Sequence, residues 1–269
     1  MKQRLSEDEV AGAGVLAHVP CAVARSEPWA VIPYHLQSSE ARSLEEAALF
    51  EAPFEYVKKH VKPLREKNHR AQRRRFWWRH GETGTGLHAA TEGKRRKLAS
   101  PIVSKHRLFV WLPPETAANQ AVVIFARDDD YFLGVLHSRV HEVWARGTGT
   151  QLREAESGFR YTPTTCFETF PFPQPTPEQK EAIAAAAKEL NRLHEAWLNP
   201  APADGVELSK AELKKRTLTN LYNQRPTWLV NAHAALDAAV FAAYGWSDQL
   251  SDSEILARLL ELNLQREPA

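Results

Sequence analysis

Prolines stand at alternate positions 171, 173, 175 and 177 in the run Phe170-Pro171-Phe172-Pro173-Gln174-Pro175-Thr176-Pro177. Each fixes φ, removes a backbone donor and disfavours helix in the residue before it, so the stretch runs extended. It reads as a crossing between two domains, 43–173 and 174–269. Upstream, short apolar runs at Leu98 to Val103, Leu108 to Leu112 and Ala121 to Phe125 are punctuated by Pro113-Pro114 and Asn119. Runs of that length with such boundaries predict strands of a mixed sheet. Asp128 to Asp130 then cap a helix that carries Phe132, Leu136, Val140 and Val143 on one face, with Gly147 and Gly149 to stop it.

Downstream the pattern is helical throughout. Thr176-Pro177-Glu178-Gln179 is a helix start with a cap, a proline at the first helical position and a reciprocating Gln, and Ile183, Leu190 and Trp197 form its buried side. Ser209 with Glu212 and Ser251 with Glu254 open two more helices by the same pairing. Between them Pro226 starts a long helix bearing Leu229, Leu236, Val240 and Tyr244, ended by Gly245. Nearer the N-terminus, Pro53 and Pro63 divide the region after residue 43 into short helices. The fold class is therefore α+β, a mixed-sheet domain followed by a small C-terminal helical bundle. Residues 1–42 show no clear periodicity.

Charge is unevenly distributed along the chain. From Lys58 to Arg107 there are sixteen Lys and Arg against Glu66, Glu82 and Glu92, a local charge of +13. The whole chain carries only +2, so the remainder holds −11. Segregation of that kind marks a surface that meets a polyanion, and nucleic acid is the reading it favours. No apolar run reaches membrane-spanning length, and residues 1–30 lack a basic start followed by an apolar core. Cys21 and Cys166 supply neither a disulfide framework nor a zinc spacing, so a reducing cytoplasm is expected.

The candidate contacts lie in three places. Arg73, Arg74, Arg75 and Arg79 interleave with Phe76, Trp77 and Trp78. Guanidinium forks suit phosphate oxygens, and phosphate contacts outnumber base contacts at DNA interfaces, so these arginines are expected on the backbone and the tryptophans in packing. Ser104-Lys105-His106-Arg107 reads as a strand, which would send Lys105 and Arg107 to one face and Ser104 and His106 to the other. Lys94 to Lys97 reads equally as a contact or a solvated turn. The polar stretch from Thr148 to Arg160 sits between rigid elements and carries Gln151, Arg153 and Arg160, with Glu154 and Glu156 behind them. Gln, Arg and Glu match the edges of adenine, guanine and cytosine, so base reading is expected there.

Other motifs fail on their chemistry. His137 and His141 are four apart, but Glu142 lies outside the pair and no third ligand is suitably spaced, so they are expected on a polar helix face rather than on zinc. Helix capping accounts for Asp128 to Asp130 without a metal. Glu178-Gln179-Lys180 lacks the partner aspartate of a nuclease. Asn199-Pro200-Ala201-Pro202 has no aromatic to stack on a flipped base, and no glycine-rich cofactor loop precedes it.

Three longer runs carry a family resemblance. They are Arg127-Asp128-Asp129-Asp130-Tyr131-Phe132-Leu133-Gly134-Val135-Leu136-His137-Ser138, Arg160-Tyr161-Thr162-Pro163 through Phe170-Pro171-Phe172-Pro173, and Leu236-Asp237-Ala238-Ala239 through Tyr244-Gly245-Trp246. Together with Ser104 to Arg107 and Glu212 to Asn223, they resemble the target-recognition and C-terminal regions of MmeI-like restriction–modification DNA methyltransferases, over about residues 43–265. Residues 1–42 are unmatched. The resemblance implies a double-stranded DNA partner, and base-reading residues that vary in the stretch equivalent to 148–160. In the intact family an adenine is flipped out and methylated at N6 from S-adenosylmethionine. No catalytic, cofactor or metal residue is expected in this chain. Alternatives are a specificity subunit acting with a separately encoded methyltransferase, a non-functional remnant, and an RNA-binding module whose rings stack on unpaired bases.

Overall fold

The computed structural model describes residues 43–79, 85–114, 116, 118, 121–151, 158–200 and 208–265. They fall into two compact units, one of residues 43–96 with 113–116 and one of 97–112 with 118–265.

The first unit is a set of short helices: α1 (Leu44–Ala48), α2 (Glu51–His60), α3 (Lys62–Glu66), α4 (Ala71–Arg75) and α5 (Thr85–Thr91). Ser43 and Glu46 close a capping box at its start. Pro53 lies in the first turn of α2 and Pro63 in that of α3, where the missing donors have no intrahelical partner to lose. Val57 and Trp77 are buried, and the Trp77 ring meets Phe54 at 5.5 Å and Trp78 at 5.8 Å. The expectation that the tryptophans pack holds most fully for Trp77.

The second unit contains the strands and the long helices. Strand β1 (Lys97–Pro101) is the centre of a sheet ordered β3 (Val110–Leu112), β1, β4 (Val122–Phe125). A second sheet is ordered β2 (Val103–Ser104), β6 (Phe159–Arg160), β5 (Thr150–Gln151). Among the described residues every pairing is antiparallel rather than mixed, within the α+β class that was expected. Ile102 joins the sheets: its N–H donates to Ala121 O at 2.8 Å, and its carbonyl accepts from Tyr161 N at 2.7 Å. Along β1, alternation sends Leu98 into the main core and Ala99 into a smaller cluster with Leu112 on the other face.

The helix expected across residues 130–147 is two helices, α6 (Asp130–His137) and α7 (Arg139–Thr148). Asp129 caps the first by accepting from Phe132 N. Ser138 is extended (φ −72°, ψ 157°) and caps the second by accepting from His141 N, so its hydroxyl satisfies a donor that a continuous helix would have paired with a carbonyl. The turn reorients α7 and buries His137 and His141, which were expected on a polar face. His141 Nδ1 donates to Leu136 O at 2.9 Å, leaving Nε2 to accept from Tyr161 Oη at 3.1 Å. Burial holds both imidazoles down to about 3.

After a π-helical turn (Pro163–Phe167) the proline-rich crossing is pinned to the helices on each side. Tyr244 Oη donates to Pro171 O at 2.7 Å and Tyr131 Oη to Pro173 O at 3.4 Å. Phe172 stacks on Phe132 at 5.5 Å. The remaining elements are α8 (Pro177–Leu198), α9 (Lys210–Lys215), α10 (Leu218–Gln224), α11 (Thr227–Tyr244) and α12 (Asp252–Leu264). Capping boxes stand at Thr176–Gln179, Ser209–Glu212 and Ser251–Glu254. One continuous core runs from Leu98 through Leu136, Ile183 and Leu236 to Leu259, so the crossing joins two parts of a single core.

Candidate nucleic-acid interface

In the helical unit the basic segment is organised by rings and carbonyls. The Arg75 guanidinium lies 5.2 Å over the Phe76 ring, and that of Arg79 lies 4.5 Å over Phe76 and 5.3 Å over Trp78. Stacking occupies the face of a guanidinium and leaves its in-plane N–H fork for an anion. Arg74 and Arg75 are exposed, while Arg73 and Arg79 are half-buried. Arg74 Nη1 donates to Asn68 O at 2.6 Å and His69 O at 3.0 Å, which closes the turn leading into α4. Arg65, not anticipated from the sequence, ties α3 to the tryptophan segment by donating to Trp77 O at 3.2 Å and to Arg79 O. Desolvation, and then the charge of Arg73, lower its pKa.

In the sheet unit the described ends of the candidate reading segment pair with each other. β5 and β6 pair through Thr150↔Arg160 and Gln151↔Phe159, and β6 pairs in turn with β2 through Val103↔Arg160 and Ser104↔Phe159. Their register is set by two close approaches. A Cβ at Gly149 would lie 2.1 Å from Phe159 Cζ. A Cβ at Gly158, whose φ is +96°, would lie 2.7 Å from the Ser104 carbonyl carbon. Glycine alone meets both demands. Phe159 is buried under Gly149, so alternation turns the next residue, Arg160, outward, where its side chain is exposed. Gln151 is placed by its backbone alone, and Arg153, Glu154 and Glu156 lie outside the described residues.

The strand expected over residues 104–107 ends at Ser104, and the alternation of its side chains does not hold. Lys105 and His106 turn the same way: Lys105 Nζ and His106 Nε2 lie 2.8 Å and 3.0 Å from Asn223 Oδ1. Arg107 turns inward. Its Nη2 donates to Pro101 O and to Ser104 Oγ, and its guanidinium lies 4.8 Å over the Tyr161 ring. Nε and Nη1 are buried with no hydrogen-bond partner, and burial brings the pKa down to about 10. Arg107 is half-buried and lines a cleft, because the chain bends at Lys105 and His106. Lys97, in the second basic cluster, is fully buried in β1.

Among the described residues no group of His, Cys, Asp or Glu is arranged to hold a metal, and no helix is long and apolar enough to cross a membrane. Cys166 is a free, buried thiol. The MmeI target recognition domain model matches residues 36–174, and the chain belongs to that family. DNA methyltransferase A of Bacillus subtilis (strain 168) is 29% identical over 150 residues, which span 55% of this chain and 15% of that protein. The fold is also similar to that of the Type IIL restriction-modification enzyme MmeI, solved in complex with DNA, with a TM-score of 0.66 at 19% identity, covering 90% of this chain and 32% of the other.

Proposed function

We propose that this chain binds duplex DNA and reads its sequence, as the target-recognition part of an MmeI-like adenine-specific methyltransferase. The observation that carries the reading is the paired strands β5 and β6: their register is held by the close approaches at Gly149 and Gly158, and the exposed Arg160 of β6 lies on the strand paired with β2, next to the exposed Lys105. Arg160, Gln151 and Arg153 read base edges, and Arg73, Arg74, Arg75, Arg79 and Lys105 hold phosphates. The residues divide the work, since phosphate contacts fix register while base-edge contacts discriminate. Methyl transfer, with S-adenosylmethionine as donor, is supplied from outside these 269 residues, whether by the same polypeptide or by a separate chain, and the setting is the cytoplasm.

Grafting residues 148–160 into an active relative and sequencing the methylated sites tests the assignment. The methylated motif is expected to change, and an unchanged motif would place the reading residues elsewhere. Loss of a bidentate contact at Gln151, Arg153 or Arg160 is expected to cost about 1–3 kcal/mol on the cognate site and to relax one base position. Competition between duplex and single-stranded probes separates this reading from RNA binding, because a single-strand preference requires exposed rings.

A further inference from the structure

The sheet unit contains a cleft of about 440 Å³ whose walls include His106 and Arg107, Arg139 and Glu142 of α7, and Arg225 and His233 at and beyond the end of α10. Its charges are only partly balanced. Arg139 pairs with Asp252 at 2.6 Å, and Arg146 with Glu142 at 2.6 Å. Asp237 accepts from Arg139 N at 2.7 Å, and burial pushes its carboxyl up to about 6. That leaves two guanidinium groups without an ionic partner. Arg107 is half-buried, with its Nε and Nη1 atoms buried and unpaired, and the exposed side chain of Arg225 makes no hydrogen bond or ion pair with the described residues.

The backbone at Arg225 adds a second, independent observation. It caps α10 in the left-handed region (φ 44°, ψ 60°) and is the one non-glycine residue with positive φ among those described. Glycine or asparagine ordinarily fills that position, so an arginine there places a cation where backbone preference alone would not. Two residues earlier, the single amide oxygen of Asn223 gathers Lys105 Nζ and His106 Nε2. The loop leaving β2 and the end of α10 thus bring Lys105, His106 and Arg225 to one rim, continuous with the sheet that carries Arg160.

We propose that this rim, made by Lys105, His106 and Arg225 with the half-buried Arg107 lining the same cleft, clamps a backbone phosphate of the duplex, so that the C-terminal helices form part of the DNA-binding surface. Asn223 is a positioning residue that holds Lys105 against α10. The proposal rests on the duplex-binding reading and adds to it a contact outside the segment matched as the recognition domain, residues 36–174.

The test is a salt titration of duplex binding by fluorescence anisotropy, with wild type, Arg225→Gly, Arg225→Lys and an Arg73, Arg74, Arg75→Ala variant. Arg225→Gly suits the left-handed backbone, so it is expected to match wild type in thermal unfolding. One lost phosphate contact lowers the log–log salt slope by about 0.9, which is about eightfold weaker binding at 0.1 M salt on cognate and unrelated duplexes alike. Arg225→Lys keeps the wild-type slope. If Arg225→Gly has the wild-type slope while the triple variant has a shallower one, duplex binding stands and this clamp is refuted. A flat salt response in the wild type refutes both.

Discussion

Gly158→Ala tests whether the register of β6 depends on its close approaches. The added Cβ would lie 2.7 Å from the Ser104 carbonyl carbon, 2.8 Å from its oxygen and 3.1 Å from Lys105 N. All three are backbone atoms, so no side-chain rotation relieves the overlap, and β6 must move away from β2. Overpacking of this kind costs about 1–3 kcal/mol. A β-carbon in the left-handed half of φ space adds about 1–2 kcal/mol. A loss near the middle, about 3 kcal/mol, corresponds to a fall of about 6–12 °C in the unfolding midpoint for a unit of this size. Gly86→Ala is the control, since a Cβ there meets nothing within 4 Å. Differential scanning calorimetry would measure stability, and anisotropy with cognate and scrambled duplexes would measure preference. Gly158→Ala is expected to lose discrimination while retaining the salt slope set by the arginines. A midpoint within 2 °C of wild type together with unchanged preference would show that the strands tolerate separation, and the register argument would then be wrong.

Tyr161→Phe removes the donor to His141 Nε2 and leaves a buried acceptor unmet, which costs about 1–3 kcal/mol and is read as a lower urea midpoint at constant slope. Acid sensitivity follows from the buried imidazoles: His137 and His141 are held to about 3 and His233 to about 4, all below the ordinary 6.5. The unfolded chain binds those protons first, so their contribution is complete above pH 6.5 and declines as pH falls toward the folded values, by at most about 1.4 kcal/mol per histidine per pH unit. Asp237, raised to about 6, opposes this, since its contribution is complete below 3.8 and lost as pH rises through 6. Urea unfolding at pH 7.5, 6.5 and 5.5 checks the sign, and stability that rises on acidification would contradict it. Arg74→Ala is expected to weaken binding to all duplexes alike, with a salt slope shallower by about 1 and less than about 1 kcal/mol of stability lost, because its carbonyl contacts are solvent-exposed. An effect confined to one sequence would assign Arg74 to base reading instead.

Local signals in the sequence were the ones that transferred to the structure. The capping boxes at Thr176, Ser209 and Ser251 stand where their residue pairs predict, because an N-cap is decided within four residues. The strand runs from Leu98, Leu108 and Ala121 likewise became β1, β3 and β4, with shorter bounds. What the sequence hid was long-range. Apolar spacing from Phe132 to Val143 suits one helix, and Ser138 breaks it because its hydroxyl can both cap α7 and donate to Val135 O. Once α7 turns, His141 has Leu136 O and Tyr161 Oη within reach, contacts that helical spacing does not reveal. The direction of Arg107 was hidden for a similar reason, since a two-residue strand cannot impose alternation beyond its own end. Asn223 lay inside a recognised run, but its role depends on Lys105, over a hundred residues earlier.

The geometry also separates the residues that fix register in β5 and β6 from those that face outward. Side-chain direction in a strand has a period of two, so a one-residue slip of β6 would expose Phe159 and bury Arg160. Phe159 prevents that slip by filling the space against Gly149, and Gly158 prevents it by its approach to Ser104. Register is therefore fixed by residues that do not face outward. Arg160 inherits its direction from Phe159 and contributes nothing to the core, so its side chain is free to be replaced without a packing cost. The same holds for Lys105, whose partner Asn223 is itself exposed. A fold that confines register to two glycines and a phenylalanine leaves the outward residues replaceable while the platform beneath them stays constant.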